Sequence, residues 1–288
     1  MKLPSFDYVR PDTVDEALRI LANSQGGGKL LAGGQTLIPL MAFRLAAPTL
    51  LVDIGCIAEL RNISTDNGAL KLGSAVRWCE ILNHEDLARS HPLLPAAIAH
   101  VAHYQIRNRG TVGGSLAHAD NASEMLGVCV ACDVDIVIAG PGGLRTVKAS
   151  DFVVGPLETV LTDDEILVEV CFPAWTPGRR WEFAEFARRQ GDYALAAVAI
   201  HYDRDGVGRC TDMHLTVLGA CSRPMRVTAA EAILEGHRLD DTLIAAAACK
   251  AAEVVDMEDD NQATLAYRRA LVTTLMERGL RTAEDRQT

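Results

Sequence analysis

Two glycine pairs, each beside small hydroxyl side chains, are the residues of this chain best suited to chemistry. The first is Ala32-Gly33-Gly34-Gln35-Thr36 and the second is Thr111-Val112-Gly113-Gly114-Ser115. Paired glycines give the backbone access to φ > 0 and leave no Cβ to hold a ligand away. Successive N–H groups in such a turn form a concavity that binds anions. One Gly-Gly alone reads as a turn. Two of the same chemistry, with Thr36, Thr111 and Ser115 supplying hydroxyls, read as one site for a diphosphate that needs little help from basic side chains.

Around these pairs the sequence acquires a specific likeness. Leu31-Ala32-Gly33-Gly34-Gln35-Thr36-Leu37-Ile38-Pro39-Leu40 and Gln105-Ile106-Arg107-Asn108-Arg109-Gly110-Thr111-Val112-Gly113-Gly114-Ser115 resemble the FAD-binding medium subunit of molybdenum hydroxylases. That is the flavoprotein component of the carbon monoxide dehydrogenase, quinoline 2-oxidoreductase and xanthine dehydrogenase family. Phe6-Asp7-Tyr8-Val9-Arg10-Pro11 and Arg188-Arg189-Gln190-Gly191-Asp192-Tyr193 also match, so the resemblance covers nearly the whole chain in order. It implies an α+β fold. A two-part, vanillyl-alcohol-oxidase-like (PCMH-type) FAD-binding domain would occupy residues 1–177, with subdomains of about 1–55 and 56–177. A smaller CO-dehydrogenase-flavoprotein-like C-terminal domain would occupy 178–288.

The same resemblance implies the site. The FAD diphosphate would lie on the backbone of Ala32, Gly33, Gly34, Gln35 and Thr36, flanked by Leu31 and Leu37, and on Thr111, Gly113, Gly114 and Ser115, with Ala119 beyond. Lys29 would approach the cofactor just before the first turn. Glu124 stands where the family places an acidic residue on the adenosine ribose, and a carboxylate can accept two hydroxyl hydrogen bonds at once. Read from the residues alone, Glu124 and Asp120 are solvated helix-start carboxylates at a favourable dipole position. Leu161 and Ile166 match positions that cover the adenine or dimethylbenzene side, whereas periodicity alone makes both ordinary core residues. Asp192 and Tyr193 match the motif whose ring lies by the isoalloxazine. Arg188 or Arg189 would offset negative charge on reduced flavin, or form a surface basic pair. No residue is assigned as catalytic.

The role implied is electron transfer within an oxidoreductase complex. A large molybdopterin-binding subunit would hydroxylate the substrate. A small iron–sulfur subunit with two [2Fe-2S] clusters would pass electrons to this chain's FAD and on to an external acceptor. The assembly would be a dimer of heterotrimers. Ser115-Leu116-Ala117-His118-Ala119-Asp120 resembles the N-heterocycle hydroxylases, which suggests an N-heteroaromatic substrate. The alternatives are the medium subunit of a carbon monoxide or aldehyde/xanthine-type dehydrogenase, a stand-alone flavin oxidase of the same fold, and a partner-binding protein that has lost the flavin.

Composition bounds these readings. The chain has 288 residues, 49% hydrophobic and 23% charged, ordinary for a globular protein. A net charge of −10 argues against nucleic-acid binding, which needs a basic face. No apolar signal segment opens the chain and no stretch reaches the roughly 20 apolar residues of a membrane helix, so a cytoplasmic location without direct membrane insertion is expected. The 8 cysteines are scattered, as in a reduced cytosolic protein. Only Cys129 and Cys132 have C-x2-C spacing, within an apolar run that reads as a buried helix, and no second pair completes a zinc or iron–sulfur site. His100, His103, His118 and Asp120 fit no zinc spacing and read as structural. There is no G-x-G-x-x-G after a strand and no Walker A motif.

The elements that must position the glycine pairs follow from pattern. Thr13 caps a helix over 13–21, with Glu16 as capping-box partner. Strands are expected at 29–32, 50–54, 69–73, 135–139 and 165–172, and helices at 74–82, 93–101 and 123–132. Pro173-Ala174-Trp175-Thr176-Pro177-Gly178 reads as a linker. Paired strands at 194–202 and 213–220 then precede helices at about 229–234, 240–255 and 262–278. The tail from Arg281 is polar and reads as mobile.

Overall fold

The computed structural model describes residues 2–286. The chain opens with three parallel strands, β1 (Asp7–Val9), β2 (Gly28–Leu31) and β3 (Leu50–Asp53), in the order β1-β3-β2, with helices α1 (Val14–Asn23) and α2 (Leu37–Ala42) in the connections. Val14, Ala17 and Leu21 give α1 a buried stripe, and Thr13 Oγ1 accepts the Glu16 N–H at 3.2 Å. The Glu16 carboxylate takes the Asp12 N–H instead of that of Thr13, so the cap is half the expected box. Because β2 is the edge strand, the chain leaving it at Ala32 is free to turn over the surface.

The second part is a five-stranded antiparallel sheet. Its first hairpin is β4 (Ile63–Asp66) and β5 (Ala69–Gly73), turned by Asn67 and Gly68, both at positive φ. A helical segment follows: α3 (Trp78–Leu82), α4 (Leu87–Ser90), α5 (Leu93–Ile98), α6 (Tyr104–Arg107), α7 (Val112–His118) and α8 (Glu124–Ala131). Then come β6 (Asp135–Gly140), β7 (Gly143–Lys148), the short helix α9 (Ala149–Phe152), a ribbon of β8 (Val153–Gly155) and β9 (Glu158–Thr159), and β10 (Ile166–Phe172), which enters the middle of the sheet in the order β4-β5-β10-β6-β7. The segment expected as helix from Ser74 begins instead as a turn. Ser74 N–H reaches Val168 O, Ala75 N–H reaches Leu60 O, and Arg77 bridges Thr111.

The C-terminal part has four antiparallel strands in chain order, β11 (Arg180–Phe186), β12 (Ala196–Arg204), β13 (Cys210–Leu218) and β14 (Met225–Arg226), followed by α10 (Thr228–Leu234), α11 (Asp241–Val254) and α12 (Leu265–Asp285). β12 is buried on both faces. Ala196, Val198, Ile200 and Tyr202 pack with the helices, while Ala197 and Ala199 join the core of the preceding part. Helix α8 explains that junction. It is apolar all round and buried from Met125 to Ala131, as a helix between two sheets must be. Gly127 lets it approach β13, since a Cβ there would stand 2.7 Å from Leu218 Cδ1. The tail does not behave as expected: Arg281 to Asp285 continue α12, because Leu280 and Ala283 are buried and Arg281 pairs with Asp241. Gln287 and Thr288 lie outside the described residues. Among the described residues no helix is long and apolar enough to cross a membrane.

Polar contacts fasten the junction. His201 Nε2 and His214 Nδ1 both reach the Ala131 carbonyl, at 2.9 and 2.7 Å, and the two rings stack 4.2 Å apart. A carbonyl only accepts, so both nitrogens carry protons. Burial, then the neighbouring His214, holds the His201 pKa well below the usual histidine range. A depressed base contributes stability above its unfolded pKa of ~6.5 and loses it as pH falls through the folded value. The melting temperature is therefore expected to drop between pH 6.5 and 5. His201→Gln, which keeps a donor but does not titrate, should melt with a shallower acid slope; an unchanged slope would assign the acid sensitivity elsewhere.

Candidate flavin site

The first glycine pair forms the turn between β2 and α2. Gly34 has φ +71°, the left-handed value that favours glycine, and Gln35 Nε2 donates to Gly33 O at 3.1 Å. Helical bonding starts only with Ile38 N–H to Gly34 O and Leu40 N–H to Thr36 O. Among the described residues, the N–H groups of Gly33, Gly34, Gln35, Thr36 and Leu37 donate to no backbone carbonyl, and all five residues are partly exposed. Consecutive free donors of this kind make an anion nest. They suit a diphosphate, so the residues present fit the FAD that the sequence implies.

The second pair is built differently from the expected turn. Gly113 and Gly114 lie in the first turn of α7, behind Thr111 as N-cap at φ −127°. Their amides are already used: Val112 N–H donates to Val76 O at 3.0 Å, Gly113 N–H to Ser74 O at 2.7 Å and Gly114 N–H to Thr111 Oγ1 at 3.1 Å. These glycines serve close approach. A Cβ on Gly113 would sit 2.5 Å from Ser74 Cβ, and one on Gly114 2.8 Å from Thr111 Oγ1 and 3.9 Å from Ala32 Cβ. Gly33 answers from the other side, where a Cβ would lie 2.1 Å from the Arg109 carbonyl oxygen and 3.0 Å from Gly110 Cα. The two motifs interlock as one surface. One offers free amides; the other offers Gly114, which is exposed, and Ser115, whose Oγ meets Ser123 Oγ at 2.8 Å.

That serine pair leads to the acidic rim. Ser123 caps α8 by accepting the Leu126 N–H, which places Glu124 in the first helical turn. Burial raises the Glu124 carboxyl to about 7, against the pull of its own N–H, with Asp120 adding to the rise. Tyr193 stands over this rim. The residue is 72% exposed, and partial burial, then the charges of Asp120 and Glu124, raise its phenol pKa. The loop carrying it turns at Gly191 (φ +85°), where a Cβ would lie 2.4 Å from His103 Cε1. Asp192 is exposed and donates its N–H to Arg189 O.

Glu185 belongs to this rim and was not legible in the sequence. It lies on β11, a strand hidden because Arg180-Trp181-Glu182-Phe183-Ala184-Glu185-Phe186 mixes charge and aromatics on both faces. The signal available was the Trp181-x-Phe183 alternation, whose side chains pack on the preceding part. The Glu185 side chain is 4% exposed, its Oε2 has no hydrogen-bond partner, and His100 Nδ1 is 4.0 Å away.

Several expected site residues are buried or engaged elsewhere in this structure. Ile166 and Ala119 are each 0% exposed, so neither side chain can touch a ligand. Ile166 is core beneath the first sheet, and Ala119 is the left-handed C-cap of α7 at φ +53°. Gly113 is likewise buried against Ser74. Leu161 is partly buried at the edge of the main core. Lys29 pairs with Asp163 at 2.8 Å on an exposed surface. Arg188 donates to the Gln262 carbonyl. The three histidines stand apart: His100 by Glu185, His103 under Gly191, and His118 4.0 Å from Asp120. A cavity of about 240 Å³ lined by His91, Trp175, Arg179, His201 and His214 shares no residue with either glycine motif.

Comparisons with known proteins agree with this layout. The FAD binding domain in molybdopterin dehydrogenase matches residues 4–175, and the CO dehydrogenase flavoprotein C-terminal domain matches 181–283. The chain is 38% identical to the 6-hydroxypseudooxynicotine dehydrogenase complex subunit alpha of Paenarthrobacter nicotinovorans, over 99% of this chain and 97% of that one. Among solved structures it is similar to carbon monoxide dehydrogenase of Hydrogenophaga pseudoflava, with TM-score 0.96 and 32% identity over 100% of both chains. It is also similar to quinoline 2-oxidoreductase of Pseudomonas putida 86, with TM-score 0.93 and 37% identity over 99% of both.

Proposed function

The chain belongs to the FAD-binding medium subunits of the molybdenum hydroxylases, and from that membership we propose that it is the electron-transfer subunit of a hydroxylase acting on an N-heteroaromatic compound. The observation that carries the cofactor's placement is the run of five unpaired amides from Gly33 to Leu37, interlocked with the second glycine motif. In this reading the amides take the diphosphate, Gly114 and Ser115 wall it, Glu124 takes ribose hydroxyls and Tyr193 lies by the isoalloxazine. Bound FAD supplies the means to accept electrons singly and release them in pairs. The chain's own task is to bind, orient and shield it. Electrons would arrive from two [2Fe-2S] clusters on a small subunit, the substrate would be hydroxylated at a molybdopterin centre on a large one, and the three would assemble as a dimer of heterotrimers. The N-heteroaromatic class is favoured because the relatives named for a nicotine derivative and for quinoline are 38% and 37% identical, against 32% for the carbon monoxide dehydrogenase structure.

Acid or heat treatment of the purified chain should release a yellow compound that runs as FAD, since no histidine or cysteine stands in either glycine motif to link it. Flavin that stays with the precipitate would contradict non-covalent binding, and a colourless preparation that takes up no FAD would end the flavin reading. The chain alone should show no hydroxylation of N-heterocycles and should gain it only with its partners. Hydroxylation by the single chain would overturn the assignment as a subunit.

A further inference from the structure

Among the described residues, Glu185 is a buried rim carboxylate with no cation paired to it and one oxygen left without a partner. Its side chain is 4% exposed and its Oε2 accepts no hydrogen bond. Residues Trp181, Phe183 and Glu185 alternate along β11 toward the preceding part, where Phe183 joins the main core and β11 packs against α5. The groups facing Glu185 can be enumerated by element. After α5 stands His100, 4.0 Å away, its ring tilted against Phe183 at 5.3 Å, with burial lowering its pKa. From α8 comes Glu124, whose charge Glu185 feels directly. From the turn before α8 comes Asp120, and from the loop after β11 comes Tyr193; both interact with Glu124. On the opposite face of β11, Glu182 pairs with Arg286. The β12 neighbour across the ladder, Ala197, carries no charge.

We propose that the buried, unpartnered Glu185 is neutral at neutral pH and acts as a positioning residue for FAD, keeping a further carboxylate charge away from Glu124 at the cofactor's ribose. The inference rests on FAD occupying the glycine surface. Two ionised carboxylates in one poorly solvated site repel, so one proton is shared by the pair. Burial, with Glu124 beside it, raises the Glu185 carboxyl to about 8. Losing that proton places a second negative charge next to Glu124, close to a ligand whose diphosphate is itself anionic. The cofactor then binds less well, and FAD binding is linked to the uptake of one proton.

The test is the affinity of the full chain, freed of flavin, for FAD between pH 6 and 9, read by flavin fluorescence. Above the range in which Glu124 titrates, the dissociation constant is expected to rise about tenfold by pH 9, with the slope of one proton. Glu185→Gln keeps the shape without the charge and should lose the rise between pH 8 and 9, keeping only the change Glu124 contributes near pH 7. A second readout is the melting of the flavin-free chain. A carboxyl raised above its unfolded value of ~4.3 contributes stability at low pH that is lost as pH rises through the folded value, so wild type should melt lower at pH 9 than at pH 7, and Glu185→Gln should lose less. A wild-type affinity independent of pH, or a Glu185→Gln variant with the wild-type pH profile, would overturn the proposal. Wild type that binds no FAD at any pH would instead strike the functional reading beneath it.

Discussion

Replacing Gly33 by alanine is expected to remove the flavin and to lower the melting temperature of the flavin-free chain. The added Cβ would lie 2.1 Å from the Arg109 carbonyl oxygen, 2.8 Å from its carbon and 3.0 Å from Gly110 Cα. All three are backbone atoms, which cannot swing aside as a side-chain tip can. The interlocked motifs must separate, and with them the amides of Gly33 to Leu37 leave the surface of Gly114 and Ser115. Overpacking of this kind costs ~1–3 kcal/mol. At ~2–4 °C per kcal/mol for a chain of moderate size, the melt should fall by several degrees. Gly34→Ala makes the contrast. It meets only the side chains of Ile38 and Leu31, at 3.3 Å, and its strain is the left-handed φ of +71°, a cost of ~1–2 kcal/mol without displacement of the second motif. Flavin per chain, measured by absorbance, and melting of the stripped protein should both rank Gly33→Ala as the more damaging change. Full flavin occupancy with an unchanged melt in Gly33→Ala would mean that the motifs do not depend on their interlock.

That expectation differs from what the glycine pair suggests in sequence, where a branched residue at Gly33 should block only the ligand and leave the fold intact. The spacing of two glycines identifies a close approach but not what approaches. At Gly33 it is Arg109, and at Gly113 it is Ser74. The same limit hid the fate of the second motif's amides, because their acceptors, Ser74 and Val76, lie in a turn more than thirty residues earlier that local pattern reads as helix. What the sequence did carry was strongly patterned: the half-buried alternation of β5, the all-round apolarity of α8, the proline-rich break after β10, and the first motif as a left-handed turn at a strand end. Ile166 shows two lines of reasoning in competition. Periodicity makes it core, the family likeness makes it a cofactor contact, and its complete burial follows the periodicity. Glu185 was hidden for the converse reason. A charge on a short mixed strand reads as solvent-facing until the neighbouring part of the fold covers it.

Tyr193→Ala is expected to leave the flavin-free chain as stable as wild type and to change the flavin it holds. The residue is 72% exposed, so truncation removes little core, and surface changes of this kind stay within ~0.5 kcal/mol. Truncating a buried core tyrosine would cost ~3–5 kcal/mol, but a side chain so exposed does not carry that cost. What makes the residue informative is its anchoring. Gly191 seats the loop on His103, and Leu195, two residues on, gives its carbonyl to the buried Arg268 at 2.8 Å. The ring is thus held on a fixed stem beside Asp120 and Glu124, the rim assigned above to the ribose side of the cofactor. A ring stacked on the isoalloxazine contributes ~0.5–1.5 kcal/mol beyond its buried area. Its loss should weaken FAD binding by no more than about tenfold, because 1.4 kcal/mol corresponds to one decade. The variant should keep its flavin at micromolar concentration, with a shifted visible band and faster reoxidation by oxygen or dyes. Tyr193→Phe should restore both. Stopped-flow reoxidation, the visible spectrum and thermal melting on the same preparations decide the matter. A lowered melt with wild-type spectrum and reoxidation rate would return Tyr193 to a structural role and remove it from the flavin face.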